Sequence, residues 1–483
     1  MSFASLEFVA FFSIVCTLYF AIAYRWRWLF LLVASYVFYA YWNTWYIILI
    51  VFSTMVDYIV AREIHKTDLQ RKRKMLLFIS MAVNLGVLFI FKYFNFFNES
   101  AVQMLETIGI NYNAKTLDVL LPVGISFYTF QSMSYTIDVY RKDIEPENNP
   151  GIFATYVAFF PQLVAGPIER AGNIIPQFHQ QFDFDYDRIV NGLRRILWGV
   201  FKKIVIADHL AFYVNAVYNN VHDYSGFILI IATGFFAFQI YCDFSAYSDI
   251  AIGTAQVLGI KLMENFRQPY LSHSPRDFWR RWHISLSTWF RDYLYIPLGG
   301  GRVKFGWVLI NLMIVFVVSG LWHGANWTFA IWGALHGLYV VIEVMLARFK
   351  LSLPVPQIFK IALTFGLVSF AWIFFRANSL DDAWYIVNNI LDFSADDSFE
   401  IFSRPFNANG QQLALIGFGL SWFLLIILML IDWYDVHQNI IQRISRSNWL
   451  FRWVVYNILG VSIVFSLIAR YGDTVEPFIY FQF

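Results

Sequence analysis

Long apolar runs separated by short charged stretches make up most of this chain. Judged against the ~20 residues that carry a helix across a bilayer, the clearer runs lie at 4–23, 28–42, 44–61, 75–94, 226–246, 305–322, 326–346, 358–375, 411–431 and 453–469. Weaker segments bring the expected total to roughly eleven to thirteen spanning or re-entrant helices. The fold class this predicts is all-α: a polytopic membrane protein forming one domain over 1–483, with 470–483 as an extracytoplasmic tail. The first run starts almost at Met1, with no basic stretch before it and no small-residue cleavage site after it, so it is expected to be retained as a span. No repeat of fixed period is visible. The region 119–210 breaks the pattern. Pro122, Pro161 and Pro167 interrupt its apolar stretches, with Gly124 and Gly166 close by. Broken segments at membrane depth are tolerated only inside protein or beside a water-filled space, so this region is expected to help line a cavity.

Composition agrees. The 483 residues are 59% hydrophobic and 14% charged, against about a quarter charged in a soluble domain. Lipid is the natural cover for such a surface. The net charge of +2 gives no reason to expect a nucleic-acid partner. Cys16 and Cys242 both sit in apolar segments, too few for a disulfide framework and without metal-ligand spacing.

Basic residues orient the chain. Arg25 and Arg27 follow the first run, and Arg62, Lys66, Arg71, Lys72, Arg73 and Lys74 follow the third. Both clusters belong on one side, which the positive-inside rule makes cytoplasmic. The N-terminus is then outside. The acidic stretch 378–410 suits an outer loop, and Arg443, Arg446 and Arg452 suit an inner one, which leaves the C-terminus outside.

Candidate chemistry concentrates between 241 and 337. Asp243 and Asp249 interrupt apolar sequence and either line a polar channel or hold helices together, the commoner use of polar groups in spans. From Phe278 to Tyr293, the residues Phe278, Trp282, Leu286, Phe290 and Tyr293 fall on one side at helical spacing. This predicts an interfacial amphipathic helix with Arg280, Arg281 and Arg291 toward the headgroups. Those arginines anchor the helix, or Arg280 and Arg281 also meet a phosphorylated donor. His283 lies beside the apolar stripe. His323 falls between two long apolar runs in Ser319-Gly320-Leu321-Trp322-His323-Gly324-Ala325-Asn326-Trp327. Its imidazole suits a general base, since its ordinary pKa is about 6.5; a core histidine satisfied by a carbonyl is the alternative. His336 suits helix packing. Neither histidine sits in an HExxH motif, and no metal is expected.

Beyond these readings, the sequence resembles the membrane-bound O-acyltransferase family, and within it the bacterial alginate O-acetylation branch. The likeness runs over nearly the whole chain and is densest in LPVGISFYTFQSMSYTIDVYR (121–141), FFPQLVAGPIER (159–170), YCDFSAYSDIAIG (241–253), ENFRQPYLSHSPRDFWRRWHISLSTWFRDYLYIPLGG (264–300) and GLWHGANWTFAIWGALHG (320–337). The resemblance implies helices around a thin central passage, with donor at one mouth and acceptor at the other. It puts the family's catalytic histidine, that of Leu-Trp-His-Gly, on His323, and its second characteristic histidine on His283. The ending Phe478-Ile479-Tyr480-Phe481-Gln482-Phe483 departs from the alginate branch. It resembles the terminal motif of a small protein of teichoic-acid D-alanylation, whose tyrosine is proposed to carry the acyl group. Tyr480 is therefore a candidate acyl relay, where an aromatic anchor at the membrane boundary is the plainer reading. Alginate becomes the less expected polymer.

The function these features imply is acyl transfer, acetyl above all, from a cytoplasmic thioester such as acetyl-CoA toward an extracellular or cell-wall polysaccharide. No cofactor is expected to be permanently bound. The expected setting is a bacterial cytoplasmic membrane, with an extracytoplasmic esterase-like (SGNH-type) transferase as partner. The rivals are D-alanyl transfer from a carrier protein and, in a different class, a transporter.

Overall fold

The computed structural model describes residues 1–110, 116–118, 121–164, 166–351, 355–394, 413–435, 440–469 and 478–479. Among these the regular elements are all helical. Among the described residues, eight helices are long and apolar enough to cross a membrane: Thr44–Lys66, Gln70–Thr107, Gly226–Val257, Phe305–His323, Trp327–Arg348, Gln357–Arg376, Gly417–Asp435 and Trp449–Ile468. The first two runs fold as the shorter apolar helices Leu6–Ala21 and Arg27–Ala40. Phe78, Trp307 and Phe465 stay largely exposed. Apolar side chains on that scale at the surface of a many-helix chain mark a lipid-facing exterior.

The chain divides into two compact units, Met1–Leu193 with Ala251–Met263, and Arg194–Ile250 with Glu264–Phe483. In the first, local sequence sets the helix ends. Ser5 accepts the Phe8 N–H. Asn149 accepts the N–H groups of Gly151 and Ile152, with Pro150 in the first turn where its missing N–H costs nothing. Asp57 is buried between Ile47–Lys66 and Gln70–Leu88, where both its oxygens accept from Asn84 Nδ2 at 3.0 and 2.9 Å. Such contacts are the usual polar glue between spans.

The proline-broken region forms short pieces: Ile125–Arg141, Pro150–Ala158, Phe160–Leu163 and Ala171–Phe178. Gly124 starts the first at φ +75°, and a Cβ there would lie 2.5 Å from the Leu163 carbonyl oxygen, so only glycine fits. The last of these pieces and the stretch 144–149 border an open cavity of about 820 Å³ lined by residues including Ile144, Glu147, Asn149, Ile175 and His179.

The second unit is built on the helix Gly226–Val257, of which residues up to Ile250 belong to it, and on the antiparallel hairpin Phe305–His323 and Trp327–Arg348. The hairpin closes tightly because Gly320 and Gly333 face each other. A Cβ on Gly320 would meet the Phe329 carbonyl oxygen at 2.2 Å, and one on Gly333 the Phe316 carbonyl oxygen at 2.3 Å. Small residues at a crossing let two backbones approach, the common arrangement between spans.

The stretch 278–293 corrects one expectation. It is not a continuous amphipathic helix but two short helices, Pro275–Arg281 and Ile284–Phe290, followed by a π turn at Arg291–Tyr295. Between them Trp282 is extended and His283 is left-handed at φ +43°. Of the expected stripe, Phe278, Trp282, Leu286 and Phe290 are buried, and Tyr293 is half-buried. Spacing could not reveal the break, because the apolar set looks the same on either side of it.

Candidate active site

His323 is the last residue of Phe305–His323. Gly324 ends the helix in an extended conformation, and Asn326 begins the next by accepting the Thr328 N–H at 3.0 Å. The run Trp-His-Gly-Ala-Asn is thus a helix stop followed by a helix start, which fixes the imidazole at the hairpin's turn. The ring is buried among aromatic side chains: Trp322 and Trp332 each at 5.0 Å between centroids, and Phe375 at 5.6 Å.

His283 lies 6.3 Å from His323, centroid to centroid. It is fully buried and packs edge-on against Phe244 at 4.6 Å. Its Nδ1 is 3.2 Å from the side-chain oxygen of Asn265. That same oxygen accepts the backbone N–H of Ser285 at 3.2 Å and its hydroxyl at 2.9 Å. A backbone N–H can only donate, so it fixes which end of the Asn265 amide faces the histidine. The oxygen then requires the proton on Nδ1, and Nε2 carries the lone pair. Burial pushes the His283 pKa down to about 3, so the ring is neutral near pH 7.

Asp243 and Asp249 are both ion-paired. Lys203 Nζ lies 2.9 Å from Asp243 Oδ1 and 2.8 Å from Asp208 Oδ1. Lys202 lies 2.7 Å from Asp249 Oδ2, whose other oxygen accepts from Arg195 at 2.9 Å. The two lysines open a π turn, Lys202–Ala207. Burial disfavours the Lys203 ammonium, but the carboxylates of Asp243 and Asp208 outweigh it and raise its pKa above the ordinary lysine value. This geometry favours the helix-joining reading of the two aspartates. His336 is likewise packed, its Nδ1 accepting the Trp279 indole N–H at 3.3 Å. Arg281 donates to Asp277 at 3.0 Å, while Arg280 is exposed on the same short helix. Among the described residues no group of three or more His, Cys, Asp or Glu is arranged to hold a metal ion.

Tyr480 lies outside the described residues. The two residues before it are buried in the second unit: Phe478 packs against Tyr247 at 4.2 Å between centroids, the rings tilted by 36°, and touches Phe244 at 5.7 Å. The structure therefore brings His283 and His323 together and sets the start of the C-terminal segment against Phe244, the ring that packs on His283. Asn265 and Lys203 were not singled out from sequence as parts of a site. Two adjacent lysines inside an otherwise apolar run were a usable signal. Asn265, an ordinary amide in a loop, offered none.

Residues 149–380 match the family model for membrane-bound O-acyltransferases. A "Probable alginate O-acetylase" of Pseudomonas aeruginosa is 41% identical over 415 residues, covering 84% of this chain and 79% of that protein. The peptidoglycan O-acetyltransferase of Helicobacter pylori is 32% identical over 490 residues, covering 94% and 91%. The teichoic acid D-alanyltransferase of Bacillus subtilis is more distant, at 28% over 272 residues, covering 52% and 68%.

Proposed function

The chain belongs to the membrane-bound O-acyltransferase family, and from that premise we propose that it passes an acetyl group from a cytoplasmic thioester to an acceptor outside the membrane, for O-acetylation of a cell-wall or extracellular polysaccharide. Multi-pass membrane architecture and acyl transfer come with the family; donor, acceptor and residue roles are our reading. The observation that carries it is the buried pair His283 and His323, within the family-matched residues.

The donor is acetyl-CoA, its carbonyl beside His323 and its phosphates toward Arg280, with Arg281 held by Asp277 behind it. An acceptor hydroxyl attacks the carbonyl carbon while His323 takes its proton. The new C–O bond forms, the C–S bond breaks, and the departing thiolate receives the proton from His323. The Asn265-oriented His283 orients the donor, its Nε2 lone pair accepting from an amide N–H of the thioester's arm. Tyr480 is the first acceptor, forming an aryl ester. An esterase-like partner outside the membrane then lets a sugar hydroxyl attack that ester, and the phenol is restored. The burial of Phe478 and Ile479 supports this reading, since it sets the preceding residues of the tail beside Phe244. Basic loops at 62–74 support a bacterial cytoplasmic membrane with that loop inside.

D-alanyl transfer from a carrier protein is the rival, supported by the ending of the chain and a more distant, half-length match. The transporter reading falls with membership of an acyltransferase family. Purified full-length protein incubated with acetyl-CoA, or with a D-alanyl carrier protein, separates the two donors. An acetyl adduct on the C-terminal peptide of wild type, absent from Tyr480→Phe, is expected. A Tyr480→Phe protein that supports full polymer acetylation would end the relay, leaving His323 in place.

A further inference from the structure

We propose that Asp243, held by Lys203, is a docking clamp that seats the C-terminal segment beside the histidine pair. Asp243 Oδ2 accepts the backbone N–H of Ile479 at 2.8 Å, a hydrogen bond between residues 236 positions apart. Its other oxygen faces Lys203 Nζ at 2.9 Å. Phe478 packs against Tyr247, one helical turn beyond Asp243, and touches Phe244, the next residue. Phe244 in turn meets His283 edge-on. One turn of the helix Gly226–Val257 thus grips both the backbone and a side chain of the segment, and its Phe244 passes that position on to the site.

Charge explains why a carboxylate is there. Lys203 supplies one positive charge to two buried carboxylates, Asp243 and Asp208. Lys203 meets Oδ1 of Asp243 and leaves Oδ2 for a further donor, which Ile479 provides. A carboxylate is the strongest acceptor a side chain offers to an amide N–H. The contact is sequence-independent, because it grips the main chain, while Phe478 adds the side-chain selection. Asp243 is a positioning residue: it holds residues 478–479 and so fixes where the chain continues to residue 480. Its consequence for acyl transfer rests on the reading of Tyr480 as the first acceptor.

Hydrogen exchange on full-length protein, read on C-terminal peptides spanning 474–483, tests the clamp apart from catalysis. Wild type should protect the Ile479 amide. Asp243→Ala should raise its exchange by about 10- to 100-fold, the factor for losing one hydrogen bond to a charged group. Asp243→Asn keeps an acceptor oxygen and should fall between. Acyl transfer should decline in the same order through kcat, with KM for the thioester unchanged. Wild-type protection in Asp243→Ala overturns the clamp. Should that variant fail to fold, Asp243→Asn keeps the shape of the side chain and removes its charge, and wild-type protection there overturns the clamp equally. Tyr480→Phe should keep the protection, and full activity in it would overturn the relay while the exchange result still decides the clamp.

Discussion

The imidazole rings of His283 and His323 lie 6.3 Å apart, centroid to centroid, at an angle of 60°. They come from different segments: His323 ends a long helix, and His283 sits in a left-handed break between two short ones. At that separation and angle the two rings are in van der Waals contact without a hydrogen bond between them, so both imidazoles border the same buried spot. One ring can take a proton while the other orients the donor.

His323→Ala and His323→Gln should therefore lose acyl transfer by about 10²–10⁴-fold, the range for removing a general base. Membrane insertion and yield should be retained, because the aromatic neighbours remain. Acetyl transfer from labelled acetyl-CoA by the purified variants measures it. Activity within a few-fold of wild type would remove His323 from the chemistry.

His283 carries a conformational demand as well as a chemical one. Its φ of +43° lies in the left-handed region, which asparagine enters more readily than alanine. His283→Asn should consequently melt above His283→Ala, while both lose activity. Equal melting temperatures would mean that the left-handed turn carries no strain in this protein.

Most of the architecture could be read from the chain because lipid imposes length and polarity on every span. The runs at 305–322, 326–346 and 358–375 became Phe305–His323, Trp327–Arg348 and Gln357–Arg376 almost residue for residue. The Leu-Trp-His-Gly segment was legible for a different reason: glycines beside an ionisable group between two apolar helices are unusual. The break at Trp282–His283 was hidden because both halves keep their apolar residues inward. The partners of Asp243 were hidden because they come from Lys203 and from Ile479, far away in sequence, and only tertiary packing brings them together.

Gly320 sits one turn before His323 and holds the hairpin closed. Gly320→Ala would drive a Cβ to 2.2 Å from the Phe329 carbonyl oxygen, a backbone atom that cannot rotate away. Overpacking of this kind costs about 1–3 kcal/mol. The variant should melt lower than wild type and lose activity as His323 shifts. Gly366→Ala, whose Cβ meets nothing within 4 Å, is the control and should do neither. A Gly320→Ala protein as stable as the control would show that the two helices separate without penalty.

The last expectation concerns acid. His283 has a folded-state pKa near 3, lowered by burial, against about 6.5 for an exposed imidazole. The unfolded chain therefore binds a proton below pH 6.5 that the folded chain refuses. The sign follows: the contribution of this ring is fully present above pH 6.5 and is lost as pH falls from 6.5 toward 3, at about 1.4 kcal/mol for each pH unit. Of the neighbours described around it, Phe244, Asn265, Ser285, Trp322 and His323, only His323 carries an ionisable group. His283→Gln removes the ionisable ring and keeps a polar side chain of similar length. Its thermal midpoint should fall less steeply than that of wild type between pH 6.5 and 4.5, even if it starts lower at pH 7.5. For the same reason the acid limb of the wild-type activity profile above pH 5 should not come from His283. Parallel midpoint-versus-pH curves for the two proteins would mean that His283 takes up its proton in the folded state near the ordinary value, and the neutral, Asn265-oriented ring would have to be abandoned.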